Sequence, residues 1–439
     1  MNVELLARAQ FALTVMFHYI YPPMSIGLGL LLVLMEGAHL RTGDPLYRRM
    51  SEFWTRVFAL TFAAGVATGI VMEFEFGTNW ASYSRFVGDV FGSPLAAEGV
   101  FSFFLESTFL GVVLFGRERV SPRFYFLSIC LVAFGAHLSA LWIIVANSWQ
   151  QTPAGFQVVG EGLKARAEIT SFAQMVFNPS SVARYTHAVG GAWLAGAFMP
   201  VSLGAYYLLG RRHEDFAKAS LKLGLAFALF AGLFQLGSGH GSAVGVTKNQ
   251  PAKLAAFEGL YETRTWAPLY AFGWVDEKNE RVLGLPLPGM LSALVHFDPR
   301  KGVTGLREFP AELRPPVQAV FQSYHLMVGL GMLMLALAAA GVFFWRRGTL
   351  WTHRPLLMAL VPAFLLPQLA NQAGWVSAEV GRQPWIVYGL LKTSDGLSKV
   401  VSGGQILFSL LMFAVLYSLM FALFLRVLWE KIQHGPEGA

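Results

Sequence analysis

The sequence predicts an all-α, polytopic membrane protein with nine transmembrane helices, its N-terminus outside and its C-terminus in the cytoplasm. Three observations carry that expectation. Apolar residues make up 55% of the 439 positions and charged residues only 13%, about half the charged share of a soluble domain. The mean hydropathy is +0.50. Apolar runs of the roughly 20 residues needed to cross a hydrocarbon core recur along the chain. A soluble enzyme, a disordered chain and a coiled coil are excluded together. The net charge is +7 without a long basic run, so no nucleic acid partner is expected. Cys130 is the only cysteine. That removes disulfide frameworks, Cys-ligated iron–sulfur clusters, zinc knuckles and covalent C-x-x-C-H haem attachment. The first apolar run follows Glu4 and Arg8 rather than a basic leader, and is read as a retained span.

The nine spans are expected near residues 10–38, 53–76, 95–116, 123–148, 184–210, 217–237, 317–345, 355–380 and 403–428. Their orientation follows from basic residues in short connections. Arg41, Arg48 and Arg49, then Arg117, Arg119 and Arg123, then Arg211 and Arg212, then Arg346, Arg347 and Arg354 fall on one side. Lys431 of the tail joins them, whereas the 2–3 connection offers only Arg85. The chain thus divides into 1–237 with spans 1 to 6, an outward-facing segment 238–316 rich in proline and charge, and 317–439 with spans 7 to 9. A polar connection as long as 238–316 points to function.

Ionisable groups within the hydrocarbon are costly and mark functional sites. Among them are His18 in span 1, Glu98 and Glu106 in span 3, His137 in span 4, His187 in span 5 and His325 in span 7, with Glu379 and Arg382 closing span 8. Met327 lies beside His325. Most fall in the outer halves of their spans, which suggests one buried site. Imidazole, thioether and carboxylate without cysteine suit haem iron. No compact H-E-x-x-H spacing suggests zinc, and the histidines are too few for more than one bis-His haem. Ordinary explanations stand beside these. His18 precedes the kinking Pro22-Pro23 and has a freed carbonyl to bond. Met327 in a Gly-rich span suits packing, and Glu379 and Arg382 have the spacing of a simple helical ion pair. His137, His240 and His325 are read as structural. Lys253 and Glu258 lie in a loop where a solvated charged face is usual. Gly27-Leu-Gly29 and Gly329-Leu-Gly331 are expected to let helices approach closely.

At these residues the chain resembles subunit I of the cytochrome bd quinol oxidase family over nearly its whole length. The segments are Gln10-Phe-Ala-Leu-Thr-Val-Met-Phe-His18, Met72-Glu-Phe-Glu-Phe-Gly-Thr-Asn-Trp80 and Glu98-Gly-Val-Phe-Ser-Phe-Phe-Leu-Glu106. With them stand Ser139-Ala-Leu-Trp-Ile-Ile-Val-Ala-Asn147, Lys253-Leu-Ala-Ala-Phe-Glu258 and Trp375-Val-Ser-Ala-Glu-Val-Gly-Arg-Gln-Pro-Trp385. The resemblance implies quinol oxidation and reduction of dioxygen to water. It implies two b-type haems and one haem d, or a third b-type haem in its place. His187 and Met327 resemble the axial pair of the low-spin haem, and His18 and Glu379 the ligands of the two high-spin haems. Glu98 and Glu106 match carboxylates near the oxygen site and on the proton path. Lys253 and Glu258 match the quinol-contacting residues of the family's Q-loop, present here in its short form. Trp375 resembles an aromatic beside the high-spin haems, and Arg8 and Arg382 resemble partners of haem propionates. His325 stands where better-known relatives carry arginine, which leaves room for an alternative histidine ligand.

The implied partners are a subunit II, small single-span subunits, membrane quinol and dioxygen. The implied location is a bacterial or archaeal cytoplasmic membrane. Two other classes fit parts of the pattern: a quinone-linked electron relay without oxygen chemistry, and a proton-coupled transporter.

Overall fold

The computed structural model describes residues 2–436. Among them nine helices are long and apolar enough to cross a membrane. Spans 1 to 9 are Val3–Thr42, Pro45–Thr78, Ala81–Phe115, Pro122–Gln151, Ser181–Leu209, Glu214–Asn249, Ala311–Arg346, Arg354–Val380 and Gly403–His434. Every expected span is present, and two are much longer than their apolar runs. Span 3 begins at Ala81, so only Asn79 and Trp80 separate it from span 2. Its polar first turns are held by tertiary partners: Ser82 Oγ donates to the Leu397 carbonyl, and Asp89 Oδ2 accepts from the Ile169 amide. Span 6 runs on to Asn249 through a Gly- and Ser-rich stretch, so the long connection starts at Gln250.

Span 1 is two helices, Val3–His18 and Tyr21–Thr42. They meet at Tyr19–Ile20, with Pro22 and Pro23 in the first turn of the second, where proline costs no helical hydrogen bond. Span 3 passes through a π-helical turn at Glu98–Phe103, a distortion that is rare and concentrated at functional sites.

One end of the bundle carries the long connection and three antiparallel hairpins. Strands β1 (Phe156–Val159) and β2 (Arg166–Ile169) follow span 4. Strands β3 (Leu269–Asp276) and β4 (Arg281–Leu287) lie in the long connection, with Trp274 opposite Leu283. Strands β5 (Trp385–Val387) and β6 (Leu391–Lys392) follow span 8. The opposite end has short turns. There Arg117 pairs with buried Glu36 at 2.7 Å and lies 4.3 Å from the Tyr125 ring, tying spans 1, 3 and 4.

Span 5 is the most enclosed helix, and its small residues explain why. Small side chains let membrane helices meet by van der Waals contact. A Cβ on Gly27 would lie 2.3 Å from the Ala192 carbonyl oxygen, so spans 1 and 5 touch backbone to backbone. Within this chain no helix makes the matching approach at Gly329 and Gly331: a Cβ on either would meet none of its described atoms within 4 Å. Leu326, Val328, Met332 and Leu333 beside them are exposed. Span 9 lies outermost, burying only Ile406, Tyr417 and Phe424.

Candidate functional site

At the long-loop end, spans 4, 5 and 8 and the short helix Pro251–Glu258 converge on Glu379. Asn147 and Gln151 lie one turn apart on span 4, which puts both on one face. Each donates its amide to Glu379 Oε1 at 3.1 Å. Arg382 donates to Glu379 Oε2 at 2.5 Å and to Gln150 at 3.1 Å. Arg184, in the first turn of span 5, stands 3.8 Å from the same carboxylate and bonds Asn147. Lys253 bonds Gln151. Its ammonium is held well below the usual lysine range, first by burial and then by the Arg184 and Arg382 charges, with Glu379 opposing. Two arginines around one carboxylate leave a positive charge in excess even with Lys253 neutral. The Nε atoms of Arg184 and Arg382 are both buried without a hydrogen-bond partner. Sequence reasoning named Glu379 and Arg382 but missed Arg184, Gln150 and Gln151; an arginine in the first turn of an apolar span was the available signal.

Span 8 also reaches span 1. Trp375 packs edge-on against Tyr19, ring centroids 5.3 Å apart, and Gln372 donates to the Met16 carbonyl at 2.7 Å. His18 turns instead to span 2, its Nδ1 3.0 Å from Thr68 Oγ1. His187 faces span 6, with Gln235 Nε2 3.1 Å from its Nδ1. Met327 faces span 8: a Cβ on Gly374 would lie 2.9 Å from its sulfur. His187 and Met327 share a depth. Asn371 donates to the Gly191 carbonyl at 3.3 Å, and His187 lies four residues beyond that contact, about 6 Å of helix rise. Gly374 lies three residues beyond it on span 8, about 4.5 Å in the same direction.

Glu98 and Glu106 both face span 4. Ser139 Oγ donates to Glu98 Oε1 at 2.6 Å. Glu106 is buried against Gly135, where an added Cβ would lie 3.1 Å from its own. Gly135 and Ser139 are one turn apart, so the carboxylates form a short ladder along span 4.

Lys253 and Glu258 are buried, 3% and 2% exposed, rather than on a solvated face. Their helix is sandwiched between the end of span 6 and the start of span 7, with Leu254, Ala255 and Ala256 also enclosed. It presents the two residues to different neighbours. Phe257 stacks on Tyr324 of span 7 at 4.4 Å, and burial pushes the Glu258 carboxyl up to about 8. Its Oε2 has no partner. His137 is structural, its Nδ1 on the Ala133 carbonyl at 2.7 Å and its Nε2 accepting from Trp193 at 2.9 Å. His325 has both nitrogens on carbonyls, Phe321 at 2.9 Å and Tyr270 at 2.8 Å. A neutral ring donates to one of these carbonyls at a time, and the imidazole sits between β3 and span 7. Arg8 stands half-exposed, 3.7 Å from Glu4.

The donor set fits haem. A porphyrin brings its own equatorial nitrogens and asks the protein only for axial donors and for cations opposite its propionates. Single imidazole and thioether groups in apolar walls meet the first need. The surplus arginine charge, with two unsatisfied guanidinium nitrogens, meets the second. Fold and donors together define a helix-bundle membrane protein suited to haem redox chemistry.

The comparisons with known proteins narrow that class. The model of the cytochrome bd terminal oxidase subunit I family matches residues 6–436. The chain is 40% identical to cytochrome bd ubiquinol oxidase subunit 1 of Bacillus subtilis strain 168, over 100% of this chain and 95% of that one. It is 35% identical to cytochrome bd-II ubiquinol oxidase subunit 1 of Escherichia coli strain K12, over 98% and 96%. The solved structure of bd oxidase from Geobacillus thermodenitrificans superimposes with a TM-score of 0.92 at 29% identity, covering 99% of each chain. The chain belongs to the cytochrome bd terminal oxidase subunit I family. Membership sets aside the electron-relay and transporter alternatives.

Proposed function

We propose that His187 and Met327 would hold a low-spin b-type haem, and that His18 and Glu379 would each hold a high-spin haem, one b-type and one d- or b-type. The chain itself is the catalytic, haem-containing subunit of a quinol-oxidising terminal oxidase, a multi-pass membrane protein that works with a subunit II on quinol and dioxygen. Bound haem supplies the electron-accepting and oxygen-binding iron. Everything else falls to the side chains.

In this reading quinol docks at the long connection, the Q-loop within 238–316, between the bundle halves 1–237 and 317–439. Glu258, once ionised, takes a quinol proton as general base. Lys253, held well below its usual range, is neutral until a proton reaches it. Arg184 and Arg382 neutralise propionates, and Trp375 walls the high-spin site. Glu106 lies farther from the long-loop end than Glu98, by about 12 Å of helix. It receives protons from the opposite side, and Ser139 holds Glu98 as the next acceptor. That side carries Arg117, Arg119, Arg211, Arg212 and Arg347, so it is cytoplasmic by the basic-residue rule, with the N-terminus outside. Quinol protons then leave outside while oxygen's protons enter from inside, which separates charge without a pump. The cytoplasmic membrane and small single-span subunits complete the assembly.

The observation that carries the site assignment is the surplus buried arginine charge at Glu379. The test is a reduced-minus-oxidised spectrum of the purified complex with pyridine haemochrome analysis. A band far to the red identifies haem d, and b-type bands alone identify the third b haem. A preparation that responds to no carbon monoxide removes the oxygen-binding role.

A further inference from the structure

We infer that Thr68 is a positioning residue for His18: its hydroxyl holds the imidazole in the tautomer that leaves Nε2 free for iron. The inference rests on the proposed ligand role of His18 and deepens it. Thr68 is 1% exposed on span 2. Its oxygen lies 3.0 Å from His18 Nδ1. A threonine hydroxyl has one hydrogen, and this one is committed to its own helix, 2.9 Å from the Ala64 carbonyl and 3.1 Å from that of Gly65. Towards His18 the oxygen therefore accepts, and Nδ1 carries the proton. A neutral imidazole holds one proton, so Nε2 keeps its lone pair.

Gly69 fixes the ring from the adjacent position. A Cβ there would lie 3.2 Å from His18 Cε1, 3.7 Å from Nδ1 and 3.9 Å from Nε2. The imidazole thus rests against the backbone of span 2, one residue beyond the hydroxyl that orients it. His18 ends the first helix of span 1, where the chain kinks, so its own helix constrains it on one side only. A hydrogen bond from the distal nitrogen of a ligating histidine raises the basicity of the other nitrogen. Such outer partners are commonly worth about 10–100-fold in metal affinity or activity.

The experiment uses the assembled oxidase in four forms: wild type, Thr68→Val, Thr68→Ser and His18→Ala. Resonance Raman reads the iron–histidine stretch of the reduced complex, and potentiometric titration reads the high-spin haem midpoint. Thr68→Val keeps the shape and removes the acceptor. It is expected to lower the stretch and to favour the reduced over the oxidised haem at least tenfold, about 59 mV upward for one electron. Thr68→Ser is expected to retain the wild-type band and potential. A wild-type band and potential in Thr68→Val overturns the inference while leaving the ligand role intact. Retention of the iron–histidine band in His18→Ala overturns the ligand role itself. Should Thr68→Val not assemble, Thr68→Ala carries the same expectation with a smaller side chain.

Discussion

Glu258 offers the sharpest test of how quinol oxidation is driven. Its carboxyl is buried, and burial alone lifts it from 4.5 to about 8. At about 1.4 kcal/mol for each tenfold, ionising it in place costs about 5 kcal/mol more than in water. At 2% exposure there is little solvent to screen that cost. The native protein keeps this proton up to about pH 8, whereas the unfolded chain releases it near 4.5. The group's contribution to stability is therefore greatest below 4.5 and falls as pH rises to about 8. If ionised Glu258 is the base, quinol oxidation climbs towards a plateau above about pH 8, by up to tenfold per pH unit below it. Oxygen consumption with a soluble quinol from pH 6 to 9.5, in wild type and Glu258→Gln, measures this. The variant should lose that limb and most of its rate. A Glu258→Gln enzyme that keeps a limb with the same midpoint would refute the reasoning.

Other perturbations follow from the same geometry. Arg382→Met leaves Glu379 with only the longer Arg184 contact and removes a charge-assisted hydrogen bond, a change expected to cost about 1–3 kcal/mol; haem stoichiometry and the thermal midpoint should both fall. Ser139→Ala strips Glu98 of its hydrogen bond at a cost of about 1–3 kcal/mol, and should slow proton uptake during turnover while quinol affinity is unchanged. Gly27→Ala must push the Ala192 carbonyl aside and should destabilise by about 1–3 kcal/mol in the same thermal assay.

Much of the molecule is legible in the chain. Nine apolar runs can be satisfied in a bilayer only as helices, because unpaired backbone groups have no water there. His18, His187, Glu98, Glu106 and Glu379 stand out because charge and imidazole are expensive in hydrocarbon. Met327 does not stand out, since a thioether is at home in an apolar wall; only its place in a resembling motif marks it. Helix ends were hidden where polar residues carry the helix onward, as at Ala81 and through Asn249, because tertiary hydrogen bonds rather than apolarity hold those turns.

The amino-acid order alone settled the span count, the family resemblance and which side chains are too costly to be idle, since these depend on transfer energies summed along one chain. Only the folded arrangement decided what those side chains meet. It buried Lys253 and Glu258, set the His325 ring between the Phe321 and Tyr270 carbonyls, and brought Arg184 to Glu379 across 195 positions of sequence. The physical reason is that hydrogen bonds and ion pairs act over a few ångströms in space. A linear sequence does not record which helix faces will come that close.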